Sequence, residues 1–110
     1  MRKHEESDLV HASREALCRA GALCWRNNVG VAKLARGAVR YGLGIGSADL
    51  VGCYRGRFFG VELKSATGRQ SPEQIAWQRA VEQAGGLYVL ARAGESVPEL
   101  VARVLAWGQS

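Results

Sequence analysis

The chain has 110 residues, 47% of them hydrophobic, which is enough for one domain with a real core and excludes both a disordered chain and a stapled mini-protein. Its net charge is +5 and its pI about 9.6, a balance that favours an anionic partner, nucleic acid first. The charge is uneven. Residues 19–69 hold nine Lys or Arg and only two acids, Asp49 and Glu62, whereas the remainder holds six Lys or Arg and eight acids. Three cysteines without C-x-x-C spacing read as small hydrophobes of a reduced protein, and His4 and His11 have no cysteine pair near them for zinc. No apolar run reaches the ~18 residues of a membrane span, and Met1-Arg2-Lys3 leads into acids rather than a signal peptide, so a soluble, intracellular protein without a membrane partner is expected.

In chain order, residues 5–20 read as a helix with an apolar stripe of Leu9, Ala12, Ala16, Leu17 and Ala20, stopped at Gly21. Residues 22–27 read as a strand, and Asn27, Asn28 and Gly30 as a turn or loop. Residues 31–47 carry Lys33, Arg36 and Arg40 among glycines, a pattern expected of a mobile basic excursion with a short strand near 38–41. Residues 49–54 and 57–64 form the strongest strand pair, joined by a tight Arg55-Gly56 turn. Ser71-Pro72-Glu73-Gln74 is a capping box that opens a helix running to about Ala84, and Gly85-Gly86 ends it. Leu87 to Ala91 is a continuous apolar, buried strand, and Ser96-Val97-Pro98-Glu99 opens a last helix to about Trp107. The expected class is α/β, a mixed β-sheet flanked by helices in the order α-βββ-α-β-α, as one domain over residues 1–110 with no linker or repeat.

The chemistry sits in Asp49 and in Glu62-Leu63-Lys64. With a two-residue turn at Arg55-Gly56, Tyr54 faces Arg57 and Asp49 faces Glu62, with Cβ atoms roughly 4.5–5.5 Å apart. A bulge in place of that turn would shift the pairing by one. Like charges so placed are destabilising unless a cation lies between them. Residues two apart on a strand share a face, so Glu62 and Lys64 point the same way and Leu63 points to the core. Two carboxylates, the Leu63 carbonyl and waters suit Mg²⁺ (or Mn²⁺), which polarises a phosphoryl oxygen and activates a water. Lys64 would orient or deprotonate that water, or stabilise the pentavalent transition state. A surface ladder of alternating charge is the plainer explanation of Glu-x-Lys alone, but Asp49 and the basic surroundings weigh against it.

These residues carry a resemblance. Trp25 to Gly30, Gly46 to Leu50, Val61 to Ser65, Gly68 to Gln74 and Gly85 to Val89 stand in the order and spacing of a stand-alone VRR-NUC domain (virus-type replication-repair nuclease), a branch of the PD-(D/E)xK superfamily. The chain resembles that family over about residues 8–92. The resemblance implies a restriction-endonuclease-like PD-(D/E)xK core, Asp49 and Glu62 as metal ligands, Lys64 as the catalytic lysine and Gln74 beside the active site. It also implies an acid on the first helix. Spacing back from Gly21 points to Asp8, acting through water, with Glu5 as the alternative. The implied activity is metal-dependent, structure-selective DNA endonuclease, cutting branched DNA such as four-way junctions as a homodimer, in a bacterial cytoplasm or that of a phage host.

Other readings carry less. Gly42 to Ser47 lacks the G-K-[ST] and the following helix of a phosphate loop. Trp77 and Trp107 fall on helices with apolar neighbours and read as core, while Trp25 beside Arg26 fits either base stacking or packing. Arg26, Lys33, Arg36, Arg40, Arg55, Arg57 and Arg69 form a basic set suited to phosphates, with Arg26, Lys33, Arg36, Arg40 and Arg69 as the DNA-binding candidates. The rivals are a non-catalytic nucleic-acid-binding module of the same fold and a nuclease acting on linear duplex DNA.

Overall fold

A computed structural model describes residues 3–108. The elements are α1 (Lys3–Arg19), β1 (Leu23–Arg26), β2 (Gly30–Lys33), β3 (Ala38–Tyr41), β4 (Leu50–Tyr54), β5 (Arg57–Lys64), α2 (Pro72–Gln83), β6 (Leu87–Arg92) and α3 (Val97–Gly108). Four strands make a mixed sheet in the order β1-β4-β5-β6. β1, β4 and β5 are antiparallel, and β6 lies parallel to β5. Parallel neighbours need a crossover, and α2 supplies it. Within this sheet the expected order of three strands, helix, strand and helix holds. The short strand expected near 38–41 forms as β3; what the expectation omitted is its partner β2, with which it makes a separate two-stranded sheet inserted between β1 and β4.

Strand alternation divides the sheet into two faces. Phe59, Val61 and Leu63 of β5 and Val89 and Ala91 of β6 join Val10 and Leu17 of α1 and Leu100 and Val104 of α3 in one core cluster. The even-numbered residues of β5 and β6 face α2, where Trp77 meets Phe58 and Tyr88 edge to face and closes over Gly60. The result is a layer of α1 and α3, the sheet, and a layer of α2.

The buried stripe of α1 differs from the one the alanines indicated. It runs through Val10, Ser13 and Leu17, at i, i+3 and i+7, while Ala12 is exposed. Alanine marks a helix without marking its face, because so little area is at stake.

The β4–β5 turn forms as the arithmetic requires. Tyr54 pairs with Arg57 and Leu50 with Val61. Arg55 and Gly56 both have positive φ, 52° and 82°, the signature of a type I′ turn. Arginine at the first position departs from the usual asparagine, yet the eight-residue β5, deep in the core, imposes the register. Trp107 is half-buried, with the Arg57 guanidinium 5.1 Å from its ring and Arg57 Nη1 donating to its carbonyl at 3.2 Å. Among the described residues no helix is long and apolar enough to cross a membrane.

Candidate functional site

The acid pair lies at the end of the β4–β5 ladder remote from its turn. Asp49 immediately precedes β4, and its Oδ2 accepts from the Leu63 N–H at 2.9 Å. The pairing that makes Leu50 face Val61 places Asp49 opposite Glu62. A strand residue sends its N–H and C=O to the same edge, so the Leu63 carbonyl faces that edge too. Glu62 is 5% exposed, unusual for a charged side chain. Its Oε1 accepts from Gln74 Nε2 at 3.2 Å, and no donor reaches its buried Oε2.

Gln74 is fixed by its own helix start. Its backbone N–H donates to Ser71 Oγ at 3.2 Å, and its Oε1 accepts from the Ser71 N–H at 2.9 Å. The capping box thus spends the side-chain carbonyl on the helix and leaves the amide NH₂ for Glu62. The loop before Asp49 packs onto the same helix start. A Cβ at Gly46 would lie 2.5 Å from the Glu73 backbone, and the φ of Gly46 is +87°, so glycine is required twice over.

Electrostatics follow from this crowding. Burial, then the charge of Asp49, pushes the Glu62 carboxyl up to about 8, against an ordinary value of 4.5, while Lys64 pulls it down. Asp49 is also raised, chiefly by burial; the Leu63 N–H and Arg26 oppose the shift. Glu6 adds negative charge to both. A carboxylate oxygen without a donor beside a second carboxylate is satisfied by a proton or by a cation.

The donor set fits a hard divalent cation. An all-protein cage would need three His, Cys, Asp or Glu side chains at metal-binding separation, and the described residues hold no such group. Mg²⁺ does not need one, since it binds through one or two carboxylates and keeps several waters. Asp49, Glu62 and the Leu63 carbonyl would hold it.

Two adjoining clefts share Glu62, and the first also reaches Asp49. One, about 570 Å³, is lined by Arg26, Asn27, Tyr41, Asp49, Glu62 and Gln74. The other, about 410 Å³, is lined by Glu6, Glu62, Lys64, Ser65, Gly68 and Gln74. Asp49, Glu62, Lys64 and Gln74 therefore meet as expected, with Arg26 at the rim. Lys33, Arg36 and Arg40 stand on the β2–β3 arm, and Arg69 is exposed in the loop after β5. Arg55 and Arg57 lie at the opposite, turn end of the hairpin.

Asp8 does not line either cleft; it is exposed on α1. Among the described residues, the helix-1 acid that faces the pair is Glu6. The physical reason is the stripe: Glu6 is four residues before Val10 on the buried face, whereas Asp8 falls with His11 and Glu15 on the exposed face. The side chains of Glu5 and His4 lie outside the described residues. Extending the true stripe back one turn would have found Glu6.

Asn27 is a second residue that composition did not reveal. Its Nδ2 donates to Ser47 Oγ at 2.7 Å and to the Ala48 carbonyl at 2.9 Å, and its Oδ1 accepts from the Leu43 N–H at 3.2 Å. Its backbone N–H donates to the Asp49 carbonyl at 2.8 Å. One side chain thus joins the end of β1, the return limb of the arm and the segment that presents Asp49.

Comparison with family models gives no match, and comparison with curated proteins gives none at a significant level.

Proposed function

We propose that the protein is a metal-dependent, structure-selective DNA endonuclease with a PD-(D/E)xK core of the VRR-NUC type, cutting branched DNA as a homodimer. The observation that carries the reading is the buried Asp49–Glu62 pair, with Lys64 two residues along β5, Gln74 on Glu62 and Arg26 beside Asp49 in the cleft lining. A structural ion network would pair these carboxylates with cations. Here the pair faces itself, and burial raises both groups.

A bound Mg²⁺ or Mn²⁺ would supply Lewis-acid polarisation of the phosphoryl group and a water of lowered pKa. The chain's own residues do the rest. Asp49 is held rigid by the Leu63 N–H and Glu62 by Gln74, so neither carboxylate must reorganise when the substrate arrives. Lys64, on the face of Glu62, lies where it can hold the attacking water or neutralise charge on the phosphoryl oxygens. Arg26 at the rim binds a flanking phosphate. Two such sites related by a two-fold axis would cut a four-way junction symmetrically.

A panel of four-way junction, forked and linear duplex DNA, incubated with Mg²⁺ or Mn²⁺, tests the reading. Metal-dependent cleavage, strongest on branched DNA and lost in Glu62→Ala and Lys64→Ala, is the expected result. No cleavage by the unmodified protein, or equal cleavage by those variants, would leave a binding module in place of an enzyme.

A further inference from the structure

The β2–β3 arm is an unpartnered two-stranded ribbon, and such ribbons are marginal alone in water. Between residues 27 and 48 the sequence has three cations, Lys33, Arg36 and Arg40, and no acid. The same segment holds Val31, Leu34, Val39, Tyr41, Leu43 and Ile45, each 48–60% exposed. Phosphate tracking alone needs the cations and not these apolar groups.

The register sorts the strand residues by face. Val31 opposite Arg40 and Lys33 opposite Ala38 occupy one face; Ala32 opposite Val39 and Gly30 opposite Tyr41 occupy the other. The second face continues the catalytic cleft, because Tyr41 lines it together with Asp49 and Glu62. The Tyr41 ring reaches across to Gly30, where a Cβ would collide with it. The arm therefore presents an aromatic and apolar face toward the acid pair and a cationic face away from it. Its tip is a closed turn, with the Leu34 N–H donating to the Gly37 carbonyl at 3.0 Å. Asn27 ties its base to the Asp49 segment.

We infer that the arm is a wedge that lies between two parted DNA strands. Tyr41 and Val39 hold an unstacked base beside the phosphate presented to the acid pair, while Lys33 and Arg40 hold phosphates of the other strand. Base stacking on an aromatic side chain is tolerant of sequence, and an apolar wedge costs least where bases are already unpaired. The arm would thus be the source of preference for branched or frayed DNA over intact duplex. Its uniform positive charge disfavours the other occupant, the arm of a second copy, which would bring like charges together.

The inference rests on the nuclease reading for what the cleft does, and the test separates the two. A forked duplex carrying 2-aminopurine at the branch nucleotide is titrated in Ca²⁺, and cleavage of forked and linear DNA is followed in Mg²⁺. Binding should change the 2-aminopurine fluorescence. Tyr41→Ala should abolish most of that change and weaken fork binding about 10-fold, with Tyr41→Phe retaining both. Lys33→Ala with Arg40→Ala, two exposed changes that spare the fold, should weaken binding to forked and linear DNA alike. Fluorescence change and fork preference surviving in both Tyr41→Ala and the charge variant would overturn the wedge. So would arm variants that turn a dimer into a monomer in sedimentation yet bind the fork unchanged. A fluorescence change that requires Tyr41, in a protein that cuts no DNA, would uphold the wedge and remove the nuclease.

Discussion

The acid pocket and the β2–β3 arm lie side by side and are built by opposite means. In the pocket, Glu62 is nearly inaccessible, Asp49 is bonded to a backbone amide, and Gln74 is locked by a helix cap. Each group there is positioned by a core strand or by a capped helix packed against the sheet. In the arm, two four-residue strands pair only with each other and leave both faces open. The pocket holds charge that the protein would release energy by neutralising, and the arm holds surface that it would release energy by covering. Chemistry that must be aligned is set in the core; contact that must fit a variable partner projects from it.

The largest expected effect breaks the pocket and spares the arm. Glu62→Ala should lower cleavage by about 10³-fold, several kcal/mol of transition-state stabilisation, and Lys64→Ala by about 10²-fold. DNA binding at fixed salt should stay close to that of the unmodified protein. Single-turnover cleavage and a gel-shift titration check both.

The converse change strips the arm. Lys33→Ala, Arg36→Ala and Arg40→Ala combined should reduce the slope of log affinity against log salt by about 2.7. Stability should move by no more than about 0.5 kcal/mol, as for other exposed substitutions. Fluorescence anisotropy across a salt series reads the first, and a urea melt the second. A large loss of stability would show that the arm belongs to the core after all.

A smaller effect is expected where a structural device and the site share one side chain. Gln74→Ala removes half of the capping box and the donor to Glu62, costing about 1 kcal/mol in denaturant unfolding. Gln74→Glu keeps an acceptor for the Ser71 N–H but sets a third carboxylate against Glu62, so its penalty should grow as pH rises.

A further effect is a pH slope in stability. In the metal-free protein Glu62 titrates near 8 when folded and near 4.5 when unfolded. Between those values the folded state binds more protons than the unfolded state, so stability falls as pH rises through that window. Melting temperatures in chelator should decline from pH 5 to 8, and Glu62→Gln should flatten the decline. Saturating Mg²⁺ or Mn²⁺ should restore stability at the upper end.

Much of the pocket was legible in the sequence because each part rests on local rules. The Arg55-Gly56 turn fixed the count that brings Asp49 opposite Glu62, and Ser71-Pro72-Glu73-Gln74 announced the helix that carries Gln74. Glu6 was not legible, because the alanine-rich helix allows more than one apolar stripe and only packing against the sheet selects the one through Val10 and Leu17. The β2 strand was also hidden: four residues of Gly-Val-Ala-Lys, fully paired yet hardly buried, leave no alternation to read. Asn27 looked like a turn residue, and its reach to Ser47 and Leu43 depends on loops that close only in three dimensions.

The central claim is that Asp49 and Glu62 face each other in order to hold a divalent cation. Calorimetric titration of Mn²⁺ into the metal-free protein at pH 7, repeated in buffers of different ionisation enthalpy, tests it most directly. The account predicts binding accompanied by proton release, since Glu62 is largely protonated at that pH, and loss of both signals in Asp49→Asn and Glu62→Gln. Absence of binding by the unmodified protein, or binding that both variants retain in full, would contradict it.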